Sequence, residues 1–164
     1  MVVLIGLAAL GAVYAGAKPE AMTREQKNKL VVRVAIQAIN EGDWQTLSEV
    51  FSPKFLQHGP GNLKTTTWKE FELACRVIRQ AMPTARIEIE DIIAEGNKVA
   101  VRCKKVITFK ESHSKYIRRS GKVELPEIDI FRIEGGRIVE EWCEYYSANV
   151  SAKMRTLRNV KTWK

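Results

Sequence analysis

The hydrophobic period of this chain changes once, at Pro83. Before it, apolar residues recur every three to four positions; after it, they recur at every second position. A chain ordered as helices first and strands afterwards does not build the alternating strand–helix–strand units of a parallel sheet. It is confined to an α+β arrangement, with about three N-terminal helices packed on one face of a curved antiparallel sheet.

The helical half is punctuated clearly. Thr23 and Gln26 form a capping-box pattern, followed by Leu30, Val31, Val34, Ala35, Ala38 and Ile39 at helical spacing and by Gly42 as a stop, which predicts a helix over about 24–41. Asp43 is placed to cap a second, short helix carrying Trp44, Leu47, Val50 and Phe51, closed by Ser52-Pro53. Lys54 to Thr66 reads as a loop around Gly59-Pro60-Gly61-Asn62. Thr67 and Glu70 open a third helix that Pro83 forbids from continuing.

In the second half Ile87 and Ile89 alternate with Glu88 and Glu90, Gly96-Asn97 turns, and Val99, Val101, Cys103, Ile107 and Phe109 occupy alternate positions of a long strand. Lys105 falls within that apolar series. Either a bulge shifts the register there or a lysine points into the interior, and the bulge is the preferred expectation. Two further strands, about Val123–Ile133 and Ile138–Tyr146, are joined by the turn Glu134-Gly135-Gly136-Arg137.

At 164 residues the chain is long enough for one domain with its own core. Cys75, Cys103 and Cys143 are widely spaced, with no Cys-x-x-Cys and only two histidines, His58 and His113, so no Cys/His zinc site is expected and the cysteines read as packing residues. Residues 1–17 are uncharged and apolar, ending in Ala15-Gly16-Ala17. They resemble an export signal, with an exported (periplasmic or secreted) product after cleavage; the alternative is a segment packed on the domain or a partner, and then a cytoplasmic protein. Residues 18–150 then form the domain, and 151–164 a tail with five basic residues and no acid.

Four segments together resemble the SnoaL-like polyketide cyclases of the nuclear transport factor 2-like superfamily. They are Ala38 to Trp44 (AINEGDW), Phe55 to Gly61 (FLQHGPG), Ile92 to Arg102 (IIAEGNKVAVR) and Asp129 to Trp142 (DIFRIEGGRIVEEW). The resemblance spans about 24–146. It implies a cone-shaped barrel in which helices close over a curved sheet around an apolar cavity, no cofactor, and a homodimer formed through the outer sheet face.

Asp129 is the leading candidate for chemistry. On its strand it shares a face with Leu125, Glu127, Phe131 and Ile133, and burial among apolar neighbours raises a carboxyl pKa toward neutrality. The alternative is a structural carboxylate paired with Arg132, Arg102 or a backbone amide. In the family the aspartate of this motif acts as acid/base on a polyketide ketone during aldol closure, and a histidine at the cavity mouth matches His58. That residue is therefore expected to polarise a carbonyl or share a proton with Asp129, or else to brace the turn Gly59–Asn62.

The chain departs from the family twice. Phe109 stands where a second histidine is common, with His113 displaced from that position, and Tyr146 stands where an aspartate often follows Glu-x-Trp. Trp44, Phe55, Phe131, Trp142 and Tyr146 are candidate ligand-binding residues, and no metal ligand set is expected.

Charge is uneven: Arg102–Lys122 carries +7 and Lys153–Lys164 +5, within a net charge of +8. Polyanion contact through this stripe is one reading, a solvated basic face the other. The expected function is a pocket for an apolar, carbonyl-bearing small molecule, with acid/base catalysis by Asp129 and His58 of the aldol, isomerisation or dehydration class. The alternative is a non-catalytic binding or dimeric interaction module of the same fold.

Overall fold

The computed structural model describes residues 21–62, 64–109 and 121–145. Three helices, α1 (Arg24–Glu41), α2 (Trp44–Val50) and α3 (Trp68–Ala81), pack on a curved six-stranded sheet. Its strands are β1 (Phe51–His58), β2 (Thr65–Thr67), β3 (Arg86–Glu95), β4 (Lys98–Phe109), β5 (Gly121–Glu134) and β6 (Arg137–Glu144), in the order β2-β1-β6-β5-β4-β3. This is the α+β cone expected from the single change of period.

The helix ends follow their capping chemistry. Thr23 Oγ1 accepts from the Gln26 amide at 3.2 Å while the Thr23 amide donates to Gln26 Oε1 at 2.8 Å, so two otherwise unpaired donors are satisfied. Gly42, at φ 73°, ends α1 in the left-handed conformation that a side chain resists. Asp43 Oδ1 then accepts from the Thr46 amide at 3.0 Å and starts α2.

Along α1, Val32, Ala35, Ile36 and Ala38 face one core with Leu47, Val99, Val101, Phe131, Ile133 and Ile138. Each buried Val, Leu or Phe contributes about 1.5–3 kcal/mol of transfer free energy. Asn40 ties the same helix to the sheet edge: its Nδ2 donates to the Ile87 carbonyl at 2.8 Å and its Oδ1 accepts from the Ile87 amide at 2.7 Å. One side-chain amide thus supplies the donor and acceptor that an edge strand otherwise lacks.

The segment read as a loop over 54–66 is instead largely strand. β1 runs parallel to β6, with Leu56 beside Glu140, Gln57 beside Glu141 and His58 beside Trp142, and antiparallel to β2. The sheet is therefore not antiparallel throughout. Pro53 made the segment look broken, but it sits in the register break between Phe51 and Leu56, where its missing N–H interrupts no regular ladder.

The bulge expected at Lys105 lies elsewhere. The β4–β5 ladder is unbroken from Lys98↔Arg132 to Phe109↔Gly121, so Lys105 falls on the same face as Val101 and Cys103. The register shift is in β3, between Ile89 and Asp91. It keeps Ile92 and Ala94 on the core side after Ile87 and Ile89. The leader over 1–17, Tyr146, His113 and the tail 151–164 lie outside the described residues, and nothing of the Phe109 side chain is described.

Candidate active site

Directly opposed residues on neighbouring strands share a face, so the ladders fix what lines the helix side of the sheet. Asp129 pairs with Val101 and Cys143, Phe131 with Val99 and Glu141, and Glu127 with Cys103; Gln57 lies beside Glu141. This inner face gathers three carboxyl groups, two thiols and the Lys105 ammonium within an otherwise apolar wall.

Each group but one atom is accounted for. Lys105 Nζ lies 2.5 Å from Glu127 Oε2 and 2.8 Å from Oε1, and the Cys143 thiol donates to Glu127 Oε1 at 2.7 Å. Cys103 Sγ donates to Asp129 Oδ2 at 3.4 Å, and Gln57 Nε2 to Glu141 Oε2 at 3.1 Å. Asp129 Oδ1 is buried and has no hydrogen-bond partner. Leaving a buried oxygen unpaired costs about 1–3 kcal/mol, and such an atom calls for an explanation.

The electrostatics follow from this packing. Burial, reinforced by the Glu127 carboxylate, pushes the Asp129 carboxyl up to about 7, with Lys105 and the two thiols opposing. Burial and then the charge of Asp129 push Glu141 well above the usual carboxylate range. For Lys105 burial works to lower the pKa, but Glu127 outweighs it and holds the ammonium charged. Burial pushes the Cys75 thiol up to about 12; Glu141 and Lys105 both act on it, which brings α3 over the same cluster. Cys103 and Cys143 are raised for the same reason, so all three behave as neutral thiols near pH 7.

Glu127, Asp129 and Cys143 offer three ligand atoms within 4.8 Å of one another, a donor set that suits a divalent cation of borderline softness. The cation this cluster holds is the ammonium of its own Lys105. A separate open pocket between the first turn of α1 and the β3–β4 and β5–β6 turns, lined by Arg24, Lys27, Asn28 and Asn97, contains none of these groups.

His58 is not brought to Asp129. Its partner on β6 is Trp142, which in turn opposes Ile130 on β5, and these residues form the outer face of the sheet. There the His58 ring stacks on Trp142 with centroids 5.4 Å apart, and its Nε2 lies 2.7 Å from Glu140 Oε1. Arg132 Nε holds the other oxygen of Glu140 at 2.8 Å. Burial opposes the charge on Glu140, yet His58 and Arg132 together keep its carboxyl below the usual range. The physical reason for the separation is β1 itself: as a strand rather than a loop, it sends Gln57 inward and His58 outward.

The aromatic candidates divide likewise. Phe55 is only 1% exposed and meets Phe51 edge-on at 4.8 Å, with Trp68 and Phe71 closing the cluster. Phe131 is buried on the inner face. Half-buried Trp44 carries the Arg76 guanidinium over its ring at 4.6 Å. Trp142 belongs to the outer face. Of the basic stripe, the described members Arg102, Lys104, Lys105 and Lys122 each sit against a carboxylate.

Sequence reasoning missed Lys105, Glu141 and Gln57 as site members. The signal for Lys105 was present in its unbroken alternation with Cys103 and Ile107, and that for Glu141 in its sharing a face with Cys143.

Comparison with known proteins agrees with this architecture. A family model described as SnoaL-like polyketide cyclase matches residues 29–152. No curated protein matches the chain in sequence. Among solved structures, it is similar to IdmH from Streptomyces antibioticus, described as a candidate polyketide cyclase (22% identity, 78% of this chain and 98% of that one, TM-score 0.69). A SnoaL-like protein from Jannaschia sp. CCS1 superposes over 84% of this chain and 97% of its own (15% identity, TM-score 0.68). An epoxide hydrolase of the LEH-like type from M. tuberculosis superposes over 82% and 94% (12% identity, TM-score 0.63). At these identities the likeness carries the fold and not the reaction.

Proposed function

The chain belongs to the SnoaL-like polyketide cyclase family, and on that premise we propose that it performs acid/base chemistry on an apolar, carbonyl-bearing small molecule, with Asp129 as the proton acceptor and donor. The observation that carries the reading is the unpartnered, buried Oδ1 of Asp129 on a carboxyl raised to about 7. A base with a pKa near the working pH both accepts and returns a proton efficiently.

The first step is proton transfer from carbon. The C–H bond next to the carbonyl breaks, its proton goes to Asp129 Oδ1, and the electron pair moves into the carbonyl to leave an enolate oxygen. That enolate then attacks a second carbonyl of the same molecule, is reprotonated at another carbon, or expels a β-hydroxyl group. These are the cyclisation, isomerisation and dehydration outcomes, and all share the first step. The apolar neighbours of Asp129, buried Val99, Val101 and Phe131, favour an apolar rather than a charged ligand beside the reacting group. The same proposal includes a homodimer through the outer face, where Ile93, Ile128 and Ile130 are exposed.

The experiment is hydrogen–deuterium exchange at the α-carbon of a panel of apolar ketones and 1,3-diketones in heavy water. Exchange with at least one of them, lost in Asp129→Asn, supports the enzyme. Binding without exchange across the panel supports the non-catalytic pocket instead.

A further inference from the structure

Proton removal by Asp129 needs a second group to hold the enolate oxygen, and His58 is on the other side of the sheet. Among the described residues of the inner face, Lys105 is the one cation. Its side chain is 41% exposed while that of Glu127 is 4% exposed, so the pair spans the boundary between the buried cluster and open space. The ammonium has three N–H donors, and Glu127 offers two oxygens to occupy them. The Tyr145 ring lies 5.6 Å from the same nitrogen, so at most one donor is left over, on a group whose charge acts on Asp129, Glu141 and Cys75 alike.

We propose that Lys105 is a further catalytic residue, whose remaining N–H holds the substrate's carbonyl oxygen as it becomes an enolate. This rests on the reading of Asp129 as the base. The charge arithmetic is closed: before transfer the negative charge is on Asp129, after it on the enolate oxygen, and Lys105 with its Glu127 partner stays a neutral pair throughout. A cation–oxyanion contact at an ammonium fixed by Glu127 strengthens as charge develops, which is what lowers the barrier. Glu127 keeps the ammonium charged and oriented; it is a positioning residue.

The test uses the full chain carrying Asp129→Asn, whose neutral amide stands in for the base after it has taken its proton. The probe is 2-naphthol, whose naphtholate oxygen carries charge as an enolate oxygen does and whose ionisation is read by absorbance; its methyl ether is the neutral control. The Asp129→Asn protein is expected to take up naphtholate in preference to naphthol. Adding Lys105→Met should weaken naphtholate binding by about tenfold or more while the ether changes by less than about twofold. Adding Lys105→Met with Glu127→Gln should do the same without leaving a buried carboxylate uncompensated, so loss of binding is separable from loss of fold. Equal naphtholate affinity with and without Lys105, or no naphtholate uptake by Asp129→Asn, overturns the proposal. Ketone exchange reports on Asp129 independently. Exchange abolished by Asp129→Asn with naphtholate binding indifferent to Lys105 refutes this inference alone; exchange unaffected by Asp129→Asn refutes the base and with it the role given to Lys105.

Discussion

The ammonium of Lys105 lies 2.5 Å from the carboxylate of Glu127, on the inner face of the sheet, and this pair sets the field in which Asp129 ionises. Glu127 raises the pKa of Asp129 and Lys105 lowers it. Removing either partner should therefore move the pH profile in opposite directions.

The first prediction is that pair of shifts. If ionised Asp129 is the base, kcat/KM for ketone exchange rises with pH through about 7. Glu127→Gln should move that rising limb to lower pH and Lys105→Met to higher pH. The check is the pH–rate profile of each variant; a limb that stays fixed in both contradicts the arrangement.

The second concerns stability. The folded Asp129 carboxyl, at about 7, lies well above the ordinary value of an aspartate in water, so ionisation favours the unfolded chain. Its contribution is fully present below about pH 4 and is lost as pH rises through 7, by up to about 4 kcal/mol. Asp129→Asn should accordingly be more stable than the parent at pH 8 and no more stable at pH 4, as measured by urea unfolding at both pH values. Such a gain with loss of exchange is the trade expected of a site held in an unfavourable state for function.

A third prediction separates pairing from burial. Lys105→Met leaves Glu127 buried without its cation and should cost about 2–3 kcal/mol, below the 3–5 kcal/mol of a wholly buried pair because Lys105 is 41% exposed. Adding Glu127→Gln should restore much of that loss. A double-mutant cycle in urea reads the coupling, and additive losses contradict it.

His58 supplies the fourth. Its imidazole serves the outer face, with Glu140 and Trp142, so His58→Gln should lower stability by about 0.5–1 kcal/mol and leave ketone exchange within about twofold. A collapse of exchange with the fold intact would return His58 to the reaction.

Much of the fold was legible because its signals are local. Caps at Thr23 and Asp43, the stop at Gly42 and the alternation after Pro83 each act over a few residues, and each matches an element of the structure. β1 was illegible because its partner is β6, more than eighty residues away, and because Pro53 imitates a loop. That one strand decides the side of the sheet on which His58 lies, so a local misreading became an error in which groups meet. Asp129 was legible from its apolar strand neighbours. Lys105 was not, since a charged residue in an apolar series is more readily explained by a bulge until its partner Glu127, diagonally across on β5, is seen. The bulge exists one strand over, where Ile89 and Ile92 break the alternation in plain sight.

The most direct test of the account is the titration of the Asp129 carboxyl itself, followed by carbon-13 NMR in the ligand-free protein and assigned with Asp129→Asn. A midpoint near 7, moving down in Glu127→Gln, is expected. A midpoint near 4, the ordinary value for an aspartate in water, would contradict it and remove Asp129 as the base.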